Sequence, residues 1–208
     1  GFDDFRVAWL ECLKLALDTP VGRDFLLNQE DEMCNLVVLL AEEEDEDEEE
    51  ALDVSEAEVS SDDLSPEQKR YGHGMMEAVR SVILQILCVL VVEAENGEGY
   101  DVVLAAFDYL KMVKGEPVRF WSLISALFLE ENSIGYKRDI IVFLNTLLNT
   151  DGQLEERWEL RSEMIHAGLL RAMESLRNET DLKYRDSSNV EDPTNLESIN
   201  TDLENQLE

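Results

Sequence analysis

Nine consecutive acidic residues, Glu42 to Glu50, constrain this fold more than any other feature of the sequence. They open a stretch, Glu42 to Asp63, that holds 14 acids and no base. So many like charges with so few large apolar side chains cannot offset the entropy lost on ordering the backbone. The pattern predicts a disordered acidic insert over residues 42–68, ending near Ser65 and Pro66, with folded chain on both sides of it. A second stretch, residues 179–208, carries nine acids and two bases and reads as an acidic tail or linker. The folded domain is then expected within residues 1–178.

Those two stretches account for most of the charge. The chain has 48 acidic and 17 basic residues, a formal net charge of −31. Outside the two stretches 25 acids face 15 bases, so the folded body is mildly acidic. Such a surface repels nucleic acid and anionic membrane and attracts basic peptides. Binding to DNA or RNA is excluded on this ground.

Between the acidic stretches, apolar residues recur at helical spacing and nowhere alternate as a strand would. Phe5, Trp9, Cys12, Leu13 and Ala16 form one stripe. Thr19 and Pro20 read as an N-cap followed by proline at the first helical position. Met33, Leu36, Val37 and Leu40 form another stripe. Helix resumes near Met75, and Val79, Val82, Ile83, Ile86, Leu87 and Leu90 cover more than one face, so this helix is expected to be central. Its apolar run, Ser81 to Val92, is too short to cross a bilayer, and no transmembrane segment is expected. Further helices are marked by Val103 to Leu110, Phe120 to Phe128, Ile140 to Leu148, Trp158 to Ile165 and Leu170 to Leu176. The expectation is an all-α fold of about nine helices.

A weak repeat supports a solenoid. Leu13–Thr19 and Leu144–Thr150 both end an apolar helix on a polar residue and threonine, 131 residues apart. With the insert removed, that interval holds two units of armadillo or HEAT length.

No catalytic chemistry is legible. His73 and His166 are the only histidines and neither has a second ligand at metal spacing. Phosphate-loop, nucleophile-elbow and metalloprotease motifs are missing. Cys12, Cys34 and Cys88 are an odd, widely spaced set that reads as buried, reduced cytosolic thiols. The chain is read as a non-enzyme, without cofactor or metal. It starts at Gly1 without a signal-peptide pattern and reads as a piece of a longer protein. Arg157, Arg161 and Glu163 are read as part of a salt-bridge lattice between adjacent helices.

One motif carries a resemblance. Arg157, Leu160, Arg161, Glu163, Gly168 and Leu169 fit an R-x-x-L-R-x-E-x-x-x-x-G-L pattern that closes the regulatory domain of Diaphanous-type formins. Phe143 to Leu147 stands at the matching distance upstream. Tyr100, Val103, Leu104 and Ala106, then Arg119 and Phe120, follow the family order, as do Cys12 to Lys14, Gly22, Leu26 and Leu27. The resemblance covers about residues 6–40 and 72–178. It implies an armadillo-like solenoid, the diaphanous inhibitory domain, of a cytoplasmic, cytoskeleton-associated protein. Its implied partner is an amphipathic helix with basic residues from the C-terminus of the same protein, whose binding holds an actin-assembly domain off. A Rho-family GTPase releases it.

Carried over by position, the resemblance puts Ile86, Val89, Val142 and Asn145 in the partner groove. By residue type alone, Ile86 and Val89 read as ordinary core. A GTPase contact would fall on the turn Asp18–Thr19, where the family carries asparagines. The competing expectation is an armadillo or HEAT-like scaffold that binds another partner.

Overall fold

The computed structural model describes residues 2–41, 66–93, 97–150 and 154–187. Among these it contains nine α-helices and no strand: α1 Phe2–Ala16, α2 Pro20–Leu27, α3 Glu30–Val38, α4 Pro66–Glu93, α5 Glu98–Lys114, α6 Trp121–Ala126, α7 Ile134–Asn149, α8 Leu154–His166 and α9 Leu169–Ser187. A 3-10 turn, Leu39–Ala41, extends α3. The expected insert, residues 42–68, lies outside the described residues up to position 65. Its last three residues are helical, because α4 begins at Pro66, nine residues before the apolar stripe does. The expected tail differs as well, since α9 continues to Ser187.

The fold is an armadillo-like helical repeat with a rhythm of three elements. After α1, the triplets α2–α3–α4 and α5–α6–α7 each end in a long helix. α4 is flanked by α1 and α7, which supply its most extensive contacts. The two related segments, Leu13–Thr19 and Leu144–Thr150, close α1 and α7, with α4 between them. α4 and α7 run parallel. Glu77 on α4 meets Ser133 at the start of α7, and Val91 and Val92 at the end of α4 face Asn149 and Thr150 at the end of α7.

Local chemistry sets the helix ends. Thr19 Oγ1 accepts the Gly22 N–H at 3.1 Å, with Pro20 at the first position of α2. The corner between α1 and α2 is tight: a Cβ on Gly22 would lie 2.0 Å from the Ala16 carbonyl oxygen. α5 ends at Gly115, whose φ of 66° lets the Glu116 N–H return to the Lys111 carbonyl at 2.9 Å. Ser133 starts α7, and its Oγ accepts the Tyr136 N–H. Phe120 precedes α6 with a φ of 63°, the only non-glycine described with positive φ. Its ring is buried and packs tilted against Phe107, with ring centres 4.7 Å apart, and Phe107 stacks on Phe143 at 5.5 Å. This aromatic trio fixes α5, α6 and α7 together.

Three expectations are corrected by the packing. Phe5 and Trp9 face solvent at 69% and 52% exposure, and Cys12 is exposed with them, because α1 turns Leu10 inward and Leu17, just past its end, is buried too. Likewise α8 buries Leu160 and Met164 and leaves Trp158 and Ile165 outside. The third concerns α4. Gly72–Glu93 is long and apolar enough to cross a bilayer by length and composition, more than the run from Ser81 suggests, but half of it is buried among other helices. Val79, Ile83, Ile86, Leu87 and Leu90 are covered completely, so the core accounts for this apolarity.

Candidate functional site

The side-by-side placement of α4 and α7 leaves one seam of each helix open along a common surface. On α4 this seam carries Gln85, Val89 and Val92; on α7 it carries Val142, Asn145 and Asn149. These positions follow helical spacing, and the intervening residues Ile86, Leu90, Phe143, Leu144 and Leu147 point into the core. Val142 is 37% exposed and Val92 63%. Val89 is half-buried and packs against the core below it.

Of the four groove positions carried over from the resemblance, three share this surface. The fourth does not: Ile86 is 0% exposed, in agreement with its reading as core by residue type. A side chain on α4 turns by about 100° per residue, so placing Val89 and Gln85 outward sends Ile86 inward.

The polar groups of the seam are ordered. Asn149 Nδ2 donates to the Asn145 backbone carbonyl at 3.0 Å and to Asn145 Oδ1 at 2.8 Å. Thr146 Oγ1 donates to the Val142 carbonyl and Thr150 Oγ1 to the Thr146 carbonyl, both at 2.8 Å. On the α1 side, Lys14 Nζ donates to Gln85 Oε1 at 2.5 Å and sits 3.7 Å from Glu11. Beneath the seam, burial pushes the Cys88 thiol above its ordinary value, opposed by a side-chain hydrogen bond with Thr146. Where α4 and α7 end, the seam opens into a pocket of about 530 Å³ lined by Val92, Gly97, Asn145, Thr146, Asn149 and Thr150, among others.

Sequence reasoning missed Lys14, Gln85, Val92 and Asn149. Only the i, i+4 spacing of Asn145 and Asn149 offered a signal, since such amides can pair along a helix.

The turn Asp18–Thr19 lies at the end of α1. Asp18 is exposed. Thr19 is occupied by the helix: its Oγ1 accepts from Gly22 and donates to the Ala16 carbonyl at 2.8 Å. His73 Nε2 lies 3.4 Å from Glu77, and His166 Nδ1 lies 2.7 Å from the Ser162 carbonyl of its own helix. No group of three His, Cys, Asp or Glu side chains able to hold a metal exists among the described residues.

Comparison with known proteins places this geometry in context. The family model described as Diaphanous FH3 Domain matches residues 100–208. Formin-H of Dictyostelium discoideum is 28% identical over 98 residues, 47% of this chain and 9% of that protein. Formin-like protein 1 of Mus musculus is 34% identical over 79 residues, 38% of this chain and 7% of the relative. Formin-F of Dictyostelium discoideum is 29% identical over 92 residues, 43% of this chain and 7% of the relative. The chain thus spans less than a tenth of the length of the relatives it matches.

Proposed function

This chain belongs to the Diaphanous FH3 domain family, and on that premise we propose that its α4–α7 surface binds an amphipathic helix for autoinhibition of a formin-like actin-assembly factor. The proposed ligand comes from the C-terminus of the same protein and carries basic residues beside its apolar ones. The observation that carries the reading is the open seam of Val89, Val92 and Val142 beside Asn145. Apolar contact area lies there next to an ordered amide, on an acidic protein. Helix-in-groove recognition needs this combination: apolar anchors for affinity and a few fixed polar groups for register. The reading assigns binding and no catalysis. It places the protein in the cytoplasm with the actin cytoskeleton.

Relief by a Rho-family GTPase belongs to the same proposal. Its contact is the exposed Asp18 at the α1–α2 corner. Thr19 serves that contact indirectly, by shaping the corner as a helix cap.

The test is fluorescence-anisotropy titration of a labelled C-terminal peptide of the full-length protein with this domain. Val142→Asp and Val92→Asp are compared with wild type after circular dichroism shows that they are folded. Binding that weakens with salt and is lost in both variants supports the proposal. Absence of binding by folded wild-type protein rejects it in favour of a scaffold for a different partner.

A further inference from the structure

Helix α8 has two apolar faces, and the described residues cover one of them. Leu160 and Met164 are buried, whereas Leu154, Trp158 and Ile165 form a second stripe that is 70%, 70% and 42% exposed. Arg161 lies within that stripe and Arg157 on its border toward the buried face; Glu155 and Glu159 mark the other border. Arg157 Nε is buried without a hydrogen-bond partner among the described residues. The last repeat of a stacked fold ordinarily turns a polar face outward, so an exposed indole between two leucine-sized side chains marks an uncovered end.

The sequence beyond α9 carries a matching element. Residues 194–207 lie outside the described residues, and their pattern reads as one amphipathic helix. Thr194 and Glu197 form a T-x-x-E capping box, and Leu196, Ile199, Leu203 and Leu207 follow at helical spacing. Residues 194–208 hold four acids and no base, with Glu197 and Glu204 along one border of the apolar stripe. The family match runs through this segment to residue 208. Lengths agree: Leu196 to Leu207 as a helix spans about 18 Å, and α8 about 20 Å. Reach agrees too. The chain from Ser187 to Leu196 extends over roughly 30 Å, as far as α9 is long, so the segment can return to α8.

We infer that residues 194–207 fold back as a helix onto the exposed face of α8 and close the end of the solenoid. The leucines and Ile199 of this segment cover Leu154, Trp158 and Ile165. Its border of Glu197 and Glu204 meets Arg157 and Arg161, away from Glu155 and Glu159. Its polar face then replaces an apolar surface with a wettable one. The short tether holds the segment at an effective concentration on the order of millimolar, which favours this contact over the same face of a second copy. The contact is independent of the partner proposed for the α4–α7 surface.

Trp158 reports the contact. In the 208-residue chain carrying Trp9→Phe and Trp121→Phe, both at exposed positions, Trp158 is the only indole. Acrylamide is expected to quench it severalfold less efficiently than in the same chain with Leu203→Asp. Asn205→Asp, which adds the same charge on the opposite side of the segment, is expected to keep the protection. Arg161→Glu is expected to lose part of it. Amide exchange gives a second reading in the chain with all its tryptophans. The amides of residues 199–207 are expected to exchange about tenfold more slowly there than in Trp158→Asp. Equal quenching with and without Leu203→Asp, or equal exchange with and without Trp158→Asp, overturns the contact. Protection that appears only as protein concentration rises assigns the face to a second copy and overturns it as well.

Discussion

Arg119 holds Glu163 at three points across 44 residues of sequence. Its Nε and Nη2 lie 2.9 Å and 2.8 Å from Glu163 Oε2, and its backbone N–H donates to Oε1 at 3.2 Å. Both side chains are about four-fifths covered, and Asp108 approaches the same guanidinium at 3.5 Å. Burial opposes the Arg119 charge, and the Glu163 hydrogen bonds and charge outweigh it. Of the lattice expected among Arg157, Arg161 and Glu163, Glu163 makes a tertiary link, turned away from its own helix toward the α5–α6 corner.

Arg119→Lys is expected to be destabilising although it keeps the charge, because an ammonium cannot reproduce the planar fork. A loss of about 1–2 kcal/mol in urea denaturation is expected, and Glu163→Ala should cost about 2–3 kcal/mol. Equal stability of Arg119→Lys and wild type would show that the link is an ordinary surface pair.

At the α1–α2 corner, Gly22→Ala places a methyl group against backbone that cannot rotate away. The corner must open, with the Thr19 cap, at a cost of about 1–3 kcal/mol. Thermal melts should show the loss, whereas Gly135→Ala, whose added Cβ meets only a 3.7 Å contact, should not.

Lys137 is only 2% exposed and its Nζ lies 3.0 Å from Glu179. Removing the acid alone strands a buried ammonium, so Glu179→Ala should cost about 3 kcal/mol. The double change with Lys137→Met should recover most of that loss, since the pair itself adds little net stability. Chemical denaturation of Glu179→Ala, Lys137→Met and the double variant checks the sign of the coupling.

Burial pushes the Tyr136 phenol up to about 12, with the Arg80 charge opposing and Glu77 assisting. The raised folded value means the neutral phenol stabilises the fold. That contribution is complete below about pH 10 and is lost as pH rises toward 12. Tyr136→Phe is expected to flatten the decline in melting temperature between pH 10 and 12. An unchanged decline would assign it to other groups.

Ile86→Asp and Val142→Asp should separate core from groove. The first buries an unpaired carboxylate at a fully covered position and should unfold the domain. The second sits at a 37% exposed position and should stay within a few degrees of the wild-type melting temperature by circular dichroism.

The sequence made the helices legible because α3, α5 and α7 each have one apolar stripe and α4 is apolar nearly all round. It failed where a helix has two apolar stripes. On α1, Phe5, Trp9 and Cys12 compete with Leu10, and with Leu17 just past the helix end; on α8, Trp158 and Ile165 compete with Leu160 and Met164. Periodicity reports that a stripe exists, and only the neighbouring helix decides which one it covers. The site was legible in part for a related reason. Asn145 stands out as an amide in an apolar helix, whereas Lys14 and Gln85 gain meaning only because α1 lies beside α4.

Phe120 occupies a left-handed backbone conformation that a residue with a Cβ adopts at a cost, and it is held there by its buried ring and by the Arg119 link beside it. Stacked repeats can in principle unravel one at a time from an end. Here the α5–α6 corner can relax only if the Phe120–Phe107 ring contact and the ion pair to α8 release together. Amide protons of Leu123 and Ile124 should therefore exchange with solvent at the same opening free energy as those of Leu160 and Met164, making α5 through α8 a single cooperative unit.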